Sequence, residues 1–210
     1  MYEKLVVFRF VWAERKVIID EVDPKIHRNF ERQGWLPLID VEHPLSATLI
    51  REFYSNLSIH SNDSNIHNVK TWIRGEEFFI TLEVVASALS VPLVQQLVYP
   101  YTETPPLNDI MSNFTGTSIS WGTNPRVTTH ELTELNYLFL MISCHSIWPI
   151  SHIHIIPIES CAFLYALFTD APISFHTLFI RSLVEIHRSS AKFHGLFFLI
   201  FIHKILLDLG

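Results

Sequence analysis

Disulfides are the first thing this sequence cannot build on. Two cysteines in 210 residues, Cys144 and Cys161, are too few for a stapled scaffold, and each lies in an apolar run, so both read as buried thiols of a reducing compartment. Charge is scarce as well. Only 17% of residues are charged, where an ordinary soluble domain has about 25%. The balance is negative, with 15 Lys and Arg against 21 Asp and Glu, a formal charge of -6. No cationic cluster exceeds Arg15-Lys16. Nucleic-acid binding leans on clustered cations that neutralise phosphates, so the net charge disfavours nucleic acid and leaves a protein as the expected partner. Long apolar runs are missing too. A membrane span needs about 20 such residues, yet the run Leu196 to Ile202 is broken by His203 and Lys204, with Asp208 following. Leu5 to Phe8 gives way at once to Arg9 and has no signal-peptide core. The expectation is an intracellular protein of cytoplasm or nucleus, neither secreted nor in a membrane. Asn56, Asn62 and Asn113 then match the N-x-S/T pattern by chance.

Catalytic signatures are equally sparse. There is no G-x-S-x-G elbow, no Walker loop and no G-x-G-x-x-G. Most acids stand beside bases, as in Glu31-Arg32 and Arg51-Glu52, the pattern of solvated helix faces. The segment CHSIWPISHIH holds Cys144, His145, His152 and His154. Zinc takes such ligands, but in C-x2-4-C and H-x3-5-H pairs, and here one sulfur and three imidazoles straddle a proline. These four are the candidate metal ligands if any exist; the expected reading is a helix end and loop, with no metal, no cofactor and no catalytic residues.

What is present is apolar material, 49% of the chain at a mean hydropathy of +0.26. A chain of this length buries roughly 70% of its unfolded surface. The first 20 residues leave helix and strand tied. Asp23-Pro24 is an N-cap with proline at the first helical position, and Gly34 is placed to stop the helix after IHRNFERQ. Leu45, Leu49, Phe53 and Leu57, widened by Ile50 and Tyr54, make an amphipathic helix through LSATLIREFYSNL. SIHSNDSNIHN reads as a polar loop, and VKTWIRGEEFFIT as a hairpin turning at Arg74-Gly75. LEVVASAL follows as a short helix with Thr81 as its cap. From Val91 to Val127 seven prolines and glycines allow at most one short helix, in LNDIMSNF. Thr128 and Glu131 then have capping-box spacing before Leu132, Leu135, Phe139 and Ile142, in a helix ending near Trp148-Pro149. Helices follow in IESCAFLYALF, FHTLFIRSLVEIH and LFFLIFIHKILLDL, and four successive helices with short links imply an antiparallel cluster.

The fold expected is therefore mainly α (α+β), a helical domain with one β-hairpin near residues 68-81. Residues 1-92 form an N-terminal helical lobe carrying the hairpin, 93-127 a Pro-rich connection and 128-210 a C-terminal helical lobe, all within one domain overall. Trp72, Arg74, Phe78 and Phe79 make the hairpin aromatic and basic. That composition suits a stacking platform for single-stranded nucleic acid, and suits packing onto helices better, since no positive groove accompanies it. Trp72 and Arg74 are thus the candidate contacts on the hairpin, with Arg126 and Arg181 as further candidate phosphate contacts.

The order of these motifs resembles one family. RQGW at Arg32 to Trp35, LIREFYSNL at Leu49 to Leu57, WIRGEEFFIT at Trp72 to Thr81 and ASALSVP at Ala86 to Pro92 are similar to the start of the "putative plant transposon protein" domain. ELTELNYLFLMISCHSIWPISH, CAFLYALFTDAPISF, IRSLVEIHRSS and GLFFLIFIHKILLDLG look like its later segments in the same order. The resemblance runs from about Phe8 to Gly210, with the plant mobile domain as runner-up for the hairpin-and-helix unit. Ser146 departs from an expected asparagine, and Asp170-Ala171-Pro172 from an expected glycine. The resemblance implies a retrotransposon-derived domain with no established activity, and so no catalytic residues to carry over. The function expected is a non-catalytic interaction or structural module, with a nucleic-acid-associated accessory protein second and a metal-dependent enzyme third. The stop after the last apolar helix adds the expectation of a truncated copy.

Overall fold

The computed structural model describes residues 17–18, 21–40, 45–61, 67–94, 99, 107–117, 127–148, 154–156, 158–188 and 197–209. Most of the first 20 residues and much of 93–127 lie outside them. The described chain is mainly helical with a small antiparallel sheet. It clusters into two compact units that alternate along the sequence: one takes Met1–Arg15, Val41–Leu93 and Phe175–Gly210, the other Lys16–Asp40 and Val94–Ser174.

In the unit that contains the sheet, Ser46 opens helix α3 (Ala47–Ser55) by accepting from the Leu49 N–H at 3.4 Å. Strands β1 (Ser58–Ser61), β2 (His67–Ile73) and β3 (Glu76–Ile80) follow, with β2 central and both neighbours antiparallel. The hairpin expected near 68–81 is β2 with β3. The extra strand β1 comes from what reads as polar loop: Ser58 pairs with Lys70 and Ile59 with Val69, a backbone ladder needing no apolar run at a sheet edge. Thr81 caps helix α4 (Leu82–Leu89), accepting from the Val84 N–H at 3.3 Å. Helices α8 (Phe175–Arg188) and α9 (Leu199–Leu209) complete this unit.

Helices α3 and α8 pack on β2, and α9 packs on α3 and α4. Strand alternation turns Val69, Thr71 and Ile73 toward them, and all three are buried. The one polar member is satisfied, since the Thr71 hydroxyl donates to the Phe53 carbonyl at 2.9 Å. Phe175, Phe179, Phe198 and Phe201 form a ring cluster with centroids 4.9 to 6.2 Å apart, mixing edge-on, tilted and stacked pairs. Helix α9 starts at Leu199 rather than just after Gly195, because Phe198 has a φ of 56°, outside the right-handed helical region.

The second unit begins with helix α1 (Pro24–Gln33), started and stopped by the residues expected. Asp23 accepts from the Lys25 N–H at 2.8 Å, and Gly34 closes the helix at a φ of 70°. A short helix α2 (Leu36–Ile39) follows. Helix α5 (Leu107–Thr115), strands β4 (Val127–Thr128) and β5 (Ile155–Ile156), helix α6 (Glu134–Ile142), a π-helical turn over Ser143–Ile147 and helix α7 (Ile158–Phe168) make up the rest. The capping box forms, with the Glu131 carboxylate accepting from the Thr128 N–H at 2.7 Å, but it opens only a 3-10 turn over Thr129–Glu131. Helix α6 starts three residues later behind its own cap, Thr133. Buried Asn29 donates to the Leu167 carbonyl at 2.7 Å and to that of Phe168 at 3.3 Å, satisfying the end of α7 from α1. The four helices expected as one antiparallel cluster are therefore divided, α6 and α7 in this unit and α8 and α9 in the other.

Candidate interaction face of the sheet

Helices cover one side of the three-stranded sheet, and the register decides what stands on the other. Lys70 pairs with Phe79 and Trp72 with Glu77, so these four side chains share the uncovered face with His60 of β1. Trp72 is 47% exposed and Phe79 48%. Two large aromatics on one face are unusual where burial of either would yield about 2–3 kcal/mol. They are held in place by charge. The Lys70 ammonium forms an ion pair with Glu77 and lies 5.8 Å from the Trp72 ring centroid and 5.2 Å from that of Phe79. His60 sits 6.4 Å from Phe79.

The hairpin tip is built locally. Arg74 and Gly75 have φ values of 51° and 87°, the positive pair a two-residue turn between twisted strands requires. The Arg74 N–H donates to the Glu52 carboxylate at 2.7 Å, tying the turn to α3. On the helix-covered side, a groove of about 370 Å³ is lined by Leu49, Ile73, Phe78 and Leu206 together with Arg74 and Glu76. Ser46 and His203 complete its polar lining.

The other sequence candidates do not join this face. Arg181 on α8 forms an ion pair with Glu185 at 3.1 Å. Arg126 and His152 lie outside the described residues. Cys144 is buried in the π-helical turn, and His154 is exposed beside β5. His145 lies in that same turn. Among the described residues no group of three or more His, Cys, Asp or Glu side chains is arranged to hold a metal ion. Burial pushes both thiols, Cys144 and Cys161, up to about 12, which leaves them un-ionised and unreactive at neutral pH. Sequence reasoning passed over Lys70, Glu77 and His60. The period-two alternation of Lys70 and Trp72 against Val69, Thr71 and Ile73 was the signal that assigns them to the outer face.

Also unanticipated is His176 on α8, 3% exposed, with an Nδ1 that has no hydrogen-bond partner among the described residues. Burial lowers its pKa, and the charge of Glu83 on α4 offsets part of that. The Glu83 pKa is itself lowered, first by the Thr81 hydroxyl. Among the described residues no helix is long and apolar enough to cross a membrane.

Fold and face together define a mainly helical α+β module that leaves one aromatic sheet surface in solvent. The putative plant retrotransposon-related domain matches residues 31–210, and the chain belongs to that family, in agreement with the order of motifs in its sequence. It is a mobile-element-derived protein. Comparison with curated proteins and with solved structures gave no match.

Proposed function

We propose that this protein is a non-catalytic interaction module that binds another protein through the open face of its sheet. The observation that carries the reading is the pairing of Trp72 and Phe79, each about half exposed, with an internally neutralised Lys70–Glu77 pair between them. Aromatic side chains ringed by polar groups are the composition of protein contact surfaces, where rings supply area at low entropic cost. The inert thiols and the neutral face support a binding role over chemistry.

A photo-crosslinking phenylalanine analogue placed at position 79 tests this. It should capture a protein in expressing cells, and the same analogue at exposed Glu31 should not; loss of the crosslink in a Trp72→Ser background would complete the case. Equal labelling from both positions would sink the reading.

Nucleic acid is the second reading, favoured by one observation, the cation held over two open rings. Oligothymidylate should then quench Trp72 fluorescence saturably, more weakly as salt rises. A Trp72→Phe control isolates that signal.

A further inference from the structure

We propose that the open sheet face binds a second copy of this chain, so that the protein self-associates through it; this rests on reading the face as a protein contact surface. The argument is one of symmetry. A two-fold interface presents the same patch twice, and therefore needs a patch complementary to itself.

The register lays four side chains out as a checkerboard. Lys70 stands beside Phe79 and Trp72 beside Glu77, so the two charges occupy one diagonal and the two rings the other. The ion pair between Lys70 and Glu77 marks the charged diagonal. A two-fold axis lying in the interface along the Trp72–Phe79 diagonal exchanges the charged corners. Lys70 then faces Glu77 of the second copy, Glu77 faces Lys70 of the second copy, and each ring meets its own equivalent. An axis along either strand direction or across it sets Lys70 over one ring but Glu77 over the electron-rich face of the other, so what the cation gains the carboxylate loses. Only an axis along the charged diagonal sets like charges together. The patch is thus complementary to itself in one two-fold setting, the axis along the Trp72–Phe79 diagonal.

Charge argues against the competing occupant. Lys70 is already neutralised by Glu77, and the chain carries -6 overall, whereas a nucleic-acid surface needs uncompensated cations. The face also sets the strength of the contact. Strands of four, seven and five residues offer less area than a permanent dimer uses, so association is weak and concentration-dependent.

The experiment is sedimentation velocity of the full chain from about 1 µM to about 1 mM, the range of weak interfaces. Wild type should pass from monomer to dimer. Lys70→Glu and Glu77→Lys should each stay monomeric, with association weakened at least about tenfold by facing like charges. An equimolar mixture of those two variants should associate again, because the doubly acidic face of the first variant then meets the doubly basic face of the second. Misfolded variants could not produce that recovery. A wild type that stays monomeric overturns the proposal, in favour of nucleic acid if oligothymidylate quenches Trp72. So does a charge variant that associates like wild type, or a mixture that stays monomeric. If dimers form but survive Trp72→Ser/Phe79→Ser, the copies meet elsewhere and this inference falls alone; the crosslink from position 79 still judges the interaction reading separately.

Discussion

Arg74 and His176 show how single side chains carry consequences that composition hides. Arg74 holds a φ of 51°, a left-handed conformation that asparagine adopts more readily, at the first central position of the hairpin turn. Arg74→Asn keeps the backbone donor to Glu52 and should stabilise the protein by about 0.5–1 kcal/mol, read as a higher urea midpoint at unchanged slope. His176 has the opposite character. Its folded pKa lies below the ordinary value of 6.5, chiefly through burial, so in the window below 6.5 the unfolded chain takes up a proton that the folded chain refuses. Stability should therefore fall as pH drops from 6.5 until the folded pKa is crossed. His187 adds to the same window, its pKa lowered by burial and then by Arg188. Glu83, held below 4.5, acts only at lower pH. Urea midpoints at pH 7 and 5.5 should differ less in His176→Gln than in wild type; an equal difference would remove His176 from the account.

At the scale of elements, helix ends are where this sequence is most explicit and most deceptive. Asp23, Pro24 and Gly34 bound α1 as their types require, and Thr81 caps α4. Thr128 and Glu131 have the stronger written signature, yet Thr133 caps α6. Thr133→Ala should cost about 1 kcal/mol of stability, and Thr128→Ala, at the end of an exposed turn, distinctly less; the reverse order in denaturation midpoints would contradict the assignment. Asn29 makes a bond no local pattern announces, closing α7 from α1. Asn29→Ala removes both of its bonds to the end of α7 while the Leu167 carbonyl keeps the Asp170 N–H at 3.3 Å, and should cost about 1 kcal/mol. The hairpin was legible because alternation and a turn glycine are local signals. Strand β1 was not, since an edge strand of serine and histidine gains its stability from the backbone ladder of β2 rather than from its own side chains.

At the scale of the whole molecule, the outer sheet face should contribute to contact and little to stability. Trp72→Ser with Phe79→Ser is expected to shift stability by less than about 1 kcal/mol, as exposed substitutions do, where a change at buried Phe179 to Ala should cost about 3–5 kcal/mol. Comparable losses in thermal unfolding would mean that the sheet face is covered in the folded protein.

Sequence by itself determined the helix-rich class, the hairpin, most helix boundaries and the family, because capping, periodicity and motif order are written within a few residues of where they act. Tertiary structure alone decided that chain order and spatial units differ, that Trp72 and Phe79 stand in solvent, and that Lys70 meets Glu77. Each of these depends on which face a neighbouring element covers, and burial of that kind is a property of packing between distant segments, not of any residue's type.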